Sequence, residues 1–239
     1  MKTAMIHYLR KIRRIFRIII GKEYFTLTDC KLNYENFGSE FGGWDIVVDD
    51  INKDSVVLSF GLGEDISFDT ELIERFNLKV HGFDPTPKSI DWIESQDLSN
   101  NFILHKTGLA DFNGTIDFNP PDDPSHVSHT ILERSTTNLF SIKAPVKNIS
   151  TIVSELGLDE IDIIKMDIEG AEYSVITDFV STNVRPKQLL IEFHHRFPGV
   201  GVSKTADAVN EIRAMGYRLF CISPRGEEYS FIYDPSNNY

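Results

Sequence analysis

At 239 residues, with 41% hydrophobic and 25% charged residues, the chain suits one well-filled α/β domain with short extensions and excludes a low-complexity or disordered chain. The net charge of −12 is unevenly placed: seven of the 24 Lys and Arg precede the first acid, Glu23, and the other 17 against 36 carboxylates leave the rest at −19. A body that acidic excludes nucleic acid as a principal partner, because affinity for it comes largely from phosphate neutralisation.

Residues 1–22 read as a basic amphipathic helix, with Met5, Leu9, Ile12, Phe16 and Ile19 along one side and arginines mainly elsewhere. Its longest apolar run, 18–20, is far too short to span a bilayer, and no signal-peptide core is present. Two readings are open for residues 1–21: a peripheral contact with an anionic membrane, or a helix packed on its own domain or on a partner subunit. Cys30 and Cys221 are too few for a disulfide framework and read as structural thiols in a reducing compartment, so the expected location is cytoplasmic, peripheral to the membrane under the first reading. Residues 23–54 read as an irregular lead-in whose glycines and aromatic residues, Tyr34, Phe37, Phe41 and Trp44, suit either a loop closing over a ligand edge or side chains that simply anchor a loop, and no chemistry is assigned to it.

The main domain, 55–239, opens on the stretch that organises it. Val56, Val57 and Leu58 form an apolar, β-branched run that suits a strand buried on both faces. Phe60, Gly61, Gly63, Glu64 and Asp65 come next as a turn that approaches a ligand, and Asp65 or Ser67 caps a helix through Phe76. A second strand, 79–83, ends at Asp84 and Pro85, and Asp84 lies 23 positions after Gly61, close to the spacing of an acid that binds a ribose hydroxyl pair. A dinucleotide fingerprint wants a third small residue where Ile66 stands, and Glu64 and Asp65 oppose a pyrophosphate. An adenosyl ligand with a cationic sulfonium tolerates those acids, which points to S-adenosylmethionine. A third strand, 101–105, leads to a turn where Gly108 and Leu109 fall beside the expected adenine. A small strand at 114–118 precedes a long loop, 119–138, whose Asp122, Asp123, His126 and His129 suit a lid or acceptor-binding loop rather than zinc.

Ser150 caps a helix over 151–156, and a strand at 162–166 ends in Asp167, with Glu169 and Glu172 close behind. Asp167 is placed beside the glycine turn. The strand 188–193 carries Glu192, His194 and His195 to the same sheet edge, where a general base is useful. A helix over 206–215 and strands at 217–222 and 229–233 close the sheet as an antiparallel hairpin.

Together VVLSFGLGEDISFD, VHGFDPTP, HKTGL, IIKMDIEGAEY and LLIEFHHRF resemble the motifs of the FkbM family of S-adenosylmethionine-dependent methyltransferases. The resemblance covers about 55–233 and is most specific at KMDIEGAE. It implies the Rossmann-like class I methyltransferase fold, with a mostly parallel seven-stranded α/β sheet, and methyl transfer to oxygen of a small-molecule or glycan acceptor. It also implies cofactor binding at Gly61 and Gly63, a ribose contact at Asp84 and an active centre at Asp167. On the residues themselves, His194 is the expected base with His195 behind it and Glu192 orienting, while Asp167, Glu192 and His194 form a set that suits Mg or Mn. A nucleotide-dependent oxidoreductase and a non-catalytic tethering module are the competing readings.

Overall fold

The computed structural model describes residues 2–118 and 142–236. The expected lid with Asp122, Asp123, His126 and His129 lies outside them. In chain order the elements are α1 (Lys2–Ile19), β1 (Glu35–Phe37), β2 (Trp44–Ile46), β3 (Val56–Phe60), α2 (Ser67–Phe76), β4 (Lys79–Phe83), α3 (Pro87–Glu94), β5 (Phe102–His105), β6 (Gly108–Leu109), β7 (Gly114–Phe118), β8 (Ile142–Lys147), α4 (Ile149–Leu156), β9 (Ile163–Met166), α5 (Glu172–Ser181), β10 (Gln188–Glu192), α6 (Val202–Ala214), β11 (Tyr217–Ile222) and β12 (Glu228–Tyr233).

Seven strands form the main sheet in the order β11-β12-β10-β9-β3-β4-β5. The five from β10 to β5 run parallel, and β12 inserts antiparallel between β10 and β11. This is the α/β sheet that the resemblance implied. The central strands are apolar because helices cover both faces: Leu58 and Phe60 face one cluster with Ile164, Val175 and Phe179, while Val57 faces the other with Leu72 and Val80. Truncating a side chain such as Phe179 to Ala would cost about 3–5 kcal/mol.

The register matters more for the site than the layers do. Phe60 pairs with Phe83 on one side and Met166 on the other, Met166 pairs with Ile191, and Glu192 pairs with Glu228. The next residue along each parallel strand therefore lies in one row at the carboxyl edge: Asp84, Gly61, Asp167 and Glu192, with Glu228 at the row's end. The row crosses the switch point between β3 and β9, where open parallel sheets bind ligands.

Several local expectations are corrected. The lead-in holds a short hairpin, β1 with β2, and residues 108–109 form a strand of a three-stranded sheet, β6-β8-β7, instead of a plain turn. Asn148, not Ser150, caps α4, its side chain accepting from the Thr151 N–H at 3.0 Å. Neither Asp65 nor Ser67 occupies the N-cap of α2; Ile66 does, and Asp65 Oδ1 accepts from the Ser67 N–H at 3.0 Å just ahead of the helix. Helix α6 begins a turn earlier than expected, after Gly201.

Candidate active site

Gly61 leaves β3 with φ +74°, and a Cβ on it would stand 1.6 Å from the carbonyl oxygen of Asp167. No side chain fits there, so the two strand ends meet through bare backbone. The Asp167 N–H donates to the Phe60 carbonyl at 3.0 Å, and the Gly61 N–H donates to that of Phe83 at 3.0 Å. Asp84 organises the rest of the glycine loop. Its Oδ2 accepts from the N–H groups of Leu62 and Gly63 at 3.1 and 3.0 Å, and its Oδ1 from the N–H and hydroxyl of Thr86 at 2.9 and 2.6 Å. Four donors use the acceptor capacity of one carboxylate. Its structural work is thus to hold the loop, in addition to facing the cavity.

Beneath the loop lies Lys165, buried on β9, which donates to the Gly61 carbonyl at 2.8 Å and sits 5.7 Å from the centre of the Trp44 ring. A lysine in the apolar run IIKM is the sequence signal that marks it. Asp65 faces inward too, accepting from the Ser39 hydroxyl at 2.6 Å. Burial pushes its carboxyl up, but the Ser39 and Ser67 bonds and the Lys165 charge outweigh burial and hold it below the ordinary range.

Across the row the chemistry changes. The turn after β9 puts Glu169 in the left-handed region, φ +53°, a conformation that costs a non-glycine residue about 1–3 kcal/mol. Glu172, fully buried in the first turn of α5, holds that turn by accepting from the Gly170 N–H at 2.8 Å. Its other oxygen accepts from the His194 N–H at 2.8 Å and lies 3.2 Å from His194 Nδ1. His194 is therefore oriented by Glu172 and not, as the sequence suggested, by Glu192. Its Nε2 points toward Glu169 at 3.5 Å and Asp167 at 3.7 Å. Burial pushes this imidazole down, but the Glu172 bond and the charges of Glu172, Asp167 and Glu169 outweigh it and hold it well above its ordinary value.

Glu192 is shifted in the same direction by the opposite logic. Burial, then the neighbouring charges of Asp167 and Glu228, push its carboxyl well above the usual range. One oxygen of Asp167 is buried with no hydrogen-bond partner. His195 sits elsewhere: in the turn beyond β10, its Nε2 lies 2.9 Å from Glu23, which Arg196 also pairs. It anchors the segment behind α1 and does not reach the row.

The row opens on a cavity of about 370 Å³. Gly61, Gly63, Glu64, Asp65, Asp84, Pro85, Gly108, Leu109, Asp167 and Glu192, all singled out in the sequence, line it. Phe60 does not: it is wholly buried and stacks on Phe83 at 4.6 Å, so the loop uses its carbonyl and the core its ring. His194 lies behind the lining. Phe41 and Trp44 from the lead-in hairpin roof the cavity, and Glu169 and Glu228 add to its acids. Among the described lining residues Lys165 is the lone cation against seven carboxylates, so the site favours a cationic ligand with an apolar, ring-shaped part.

A family model, the methyltransferase FkbM domain, matches residues 54–219. The chain is 27% identical over 195 residues to the probable methyltransferase-like protein 24 of Homo sapiens, covering 74% of this chain and 47% of that one. It is 25% identical over 154 residues to the 2-O-methyltransferase NoeI of Sinorhizobium fredii, covering 59% and 63%. The chain thus spans about half to under two thirds of the length of these relatives. Among solved structures, a methyltransferase FkbM from Methylobacillus flagellatus is similar at 17% identity and a TM-score of 0.49, over 77% of this chain and 44% of that one.

Proposed function

The chain belongs to the FkbM methyltransferase family, and from that premise we propose that it is an S-adenosylmethionine-dependent O-methyltransferase whose acceptor is a hydroxyl of a sugar or glycoconjugate. The observation that carries the reading is the acid-lined cavity on the glycine turn, with seven carboxylates where a dinucleotide would bring phosphates. The donor chemistry fits the cofactor: a buried Asp167 oxygen with no hydrogen bond, facing His194 at 3.7 Å, for cationic groups, and Phe83 and Leu109 for a flat ring. When bound, S-adenosylmethionine supplies a methyl group on a sulfonium that an oxygen nucleophile displaces in line, with the C–S electrons leaving on sulfur.

The chain's own part is to hold two reactants in line, worth up to roughly 7–11 kcal/mol, and to take one proton. Glu192 takes it. It lines the cavity beside Asp167, and burial with the charges of Asp167 and Glu228 raises its carboxyl, which makes it a stronger base than an ordinary one. His194, oriented by Glu172, fixes the positions of Asp167 and Glu169 from behind. For the acceptor, a groove of about 830 Å³ shares Phe41, Gly43, Trp44 and Glu228 with the cavity, and its Asn36, Ser223, Arg225 and Ser230 suit sugar hydroxyls. The activity for which NoeI is named, 2-O-methyl transfer, is in keeping with this.

A second version is favoured by one observation: ligand atoms of Asp167, Glu192 and His194 all lie within 4.8 Å of one another. Those three would hold Mg or Mn, with Glu172 behind the imidazole, and the ion would acidify the acceptor hydroxyl.

Calorimetric titration tests the proposal. S-adenosylhomocysteine is expected to bind at micromolar concentration and NAD not at all; Glu192→Gln is expected to keep that binding while lowering kcat by about 10²–10⁴. Binding of NAD without the homocysteine compound would overturn it. Loss of transfer in EDTA, restored by Mn, would select the metal-assisted version.

A further inference from the structure

Helix α1 is mounted with its charged side against the body. Its half-buried positions include Ile6, Arg10, Arg14 and Ile18, one face at helical spacing. Arg10 lies 3.1 Å from Glu40 and over the Phe41 ring, and Arg14 lies against Gly226 in the turn between β11 and β12. The opposite face is apolar and open: Tyr8 is 66% exposed, Ile15 57%, Phe16 61% and Ile19 75%. A helix docked by its apolar face buries that stripe; α1 packs on the body through Arg10 and Arg14 instead and leaves the stripe open. Phe25 and Leu27, just after the helix, are exposed as well.

Charge selects what covers the stripe. Helical geometry puts Lys11 and Arg13 on its two borders, where long cationic side chains reach a headgroup plane while apolar neighbours insert. Stripe-to-stripe pairing of two copies would bring two strongly cationic helices together. On a chain whose remainder is at −19, an anionic surface attracts this face and repels the rest, which fixes one orientation. At the carboxyl end of α1 a further cavity of about 370 Å³ is lined by Arg17, Lys22 and Arg196.

The helix is also a wall of the acceptor groove, through Tyr8, Arg10 and Lys11. The geometry points to α1 as an interfacial anchor that seats the protein on an anionic bilayer with Ile12, Phe16 and Ile19 inserted, and opens the acceptor groove at headgroup level to a glycolipid. Its acceptor half rests on the methyltransferase reading; its anchoring half does not.

The test is flotation of the full chain with phosphatidylcholine vesicles, with and without phosphatidylserine. The chain is expected to float with the anionic vesicles and to be released by high salt. Phe16→Glu and Ile19→Glu are each expected to reduce partition by about tenfold or more. Both sites are exposed, so S-adenosylhomocysteine binding and Tm should be unchanged, which separates failure of the anchor from failure of the cofactor site. Equal flotation of wild type and both variants, or none for any, would overturn the anchor. So would a concentration-dependent dimer in sedimentation that Phe16→Glu abolishes, because the stripe would then belong to a second copy. For the acceptor half, methyl label from S-adenosylmethionine is expected in the organic extract of glycolipid-bearing vesicles; label confined to soluble sugars would overturn it.

Discussion

Asp84 and Asp167 occupy equivalent places, each one residue beyond a parallel strand and in the same row of the sheet edge, yet they are used in opposite ways. Asp84 meets four protein donors and is complete without a ligand. Asp167 keeps a buried oxygen with no hydrogen-bond partner and faces Glu192 and His194. One side of the cavity is a finished scaffold; the other holds concentrated negative charge in low dielectric, where an incoming cation gains most. Acids at strand ends therefore do not share a role by position. What the neighbouring backbone donates decides it.

The largest test strikes where the two sides join. Gly61→Ala sets a Cβ against the Asp167 carbonyl, so the strand ends must separate at a positive φ; a loss of about 4–5 kcal/mol in urea unfolding is expected, with S-adenosylhomocysteine binding abolished. A stable variant that binds normally would show that the two turns are not locked together. The next test takes the two acids as a pair. Asp84→Asn puts an amide donor against N–H donors and is expected to cost about 2 kcal/mol. Asp167→Asn removes a charge from a crowded row, so stability should stay within about 0.5 kcal/mol or rise, while cofactor affinity and turnover fall. Equal destabilisation by both would break the comparison.

The scaffold side was the legible side. Apolar runs of strand length, a glycine pair and an acid at the right interval are local signals, and every main-sheet strand and the glycine-loop part of the cavity's lining can be read from them. The acidic side depends on contacts between distant stretches. Glu172 has an ordinary reason to sit in a helix's first turn, and nothing local says that its carboxylate reaches His194, 22 residues on. The same holds for His195, whose partner Glu23 lies in the lead-in, and for Phe60, named with the glycine turn, whose ring stacks on Phe83 in the core. Amphipathic spacing located the stripe on α1, but periodicity gives a stripe and not the side on which the body lies; Arg10 and Arg14 settle that through Glu40 and Gly226.

The smallest effect is a pH dependence that separates the two sides through their histidines. His81 on β4 and His105 on β5 stack with ring nitrogens 3.0 Å apart. Burial, then the His105 and Lys79 charges, push His81 down to about 4. The unfolded chain therefore binds a proton that the folded one refuses, and this contribution to stability is intact above about 6.5 and lost as pH falls toward 4. His194 runs the other way: held above its ordinary value, it contributes stability in full below about 6.5 and loses it as pH rises through its folded value. Asp69, buried under the glycine loop and pushed up to about 6 mainly by burial, opposes His81, because its contribution falls as pH rises from about 4 to 6. The whole-protein slope mixes these with other shifted groups, Glu192, Asp65 and His105 among them, so the readout is a difference. Unfolding of His81→Phe and wild type, compared at each pH, should diverge only below about 6.5, the wild type losing more on acidification. Parallel curves through that window would mean that the histidine pair is solvated, and that the scaffold side is less closed than the hydrogen bonds of Asp84 make it.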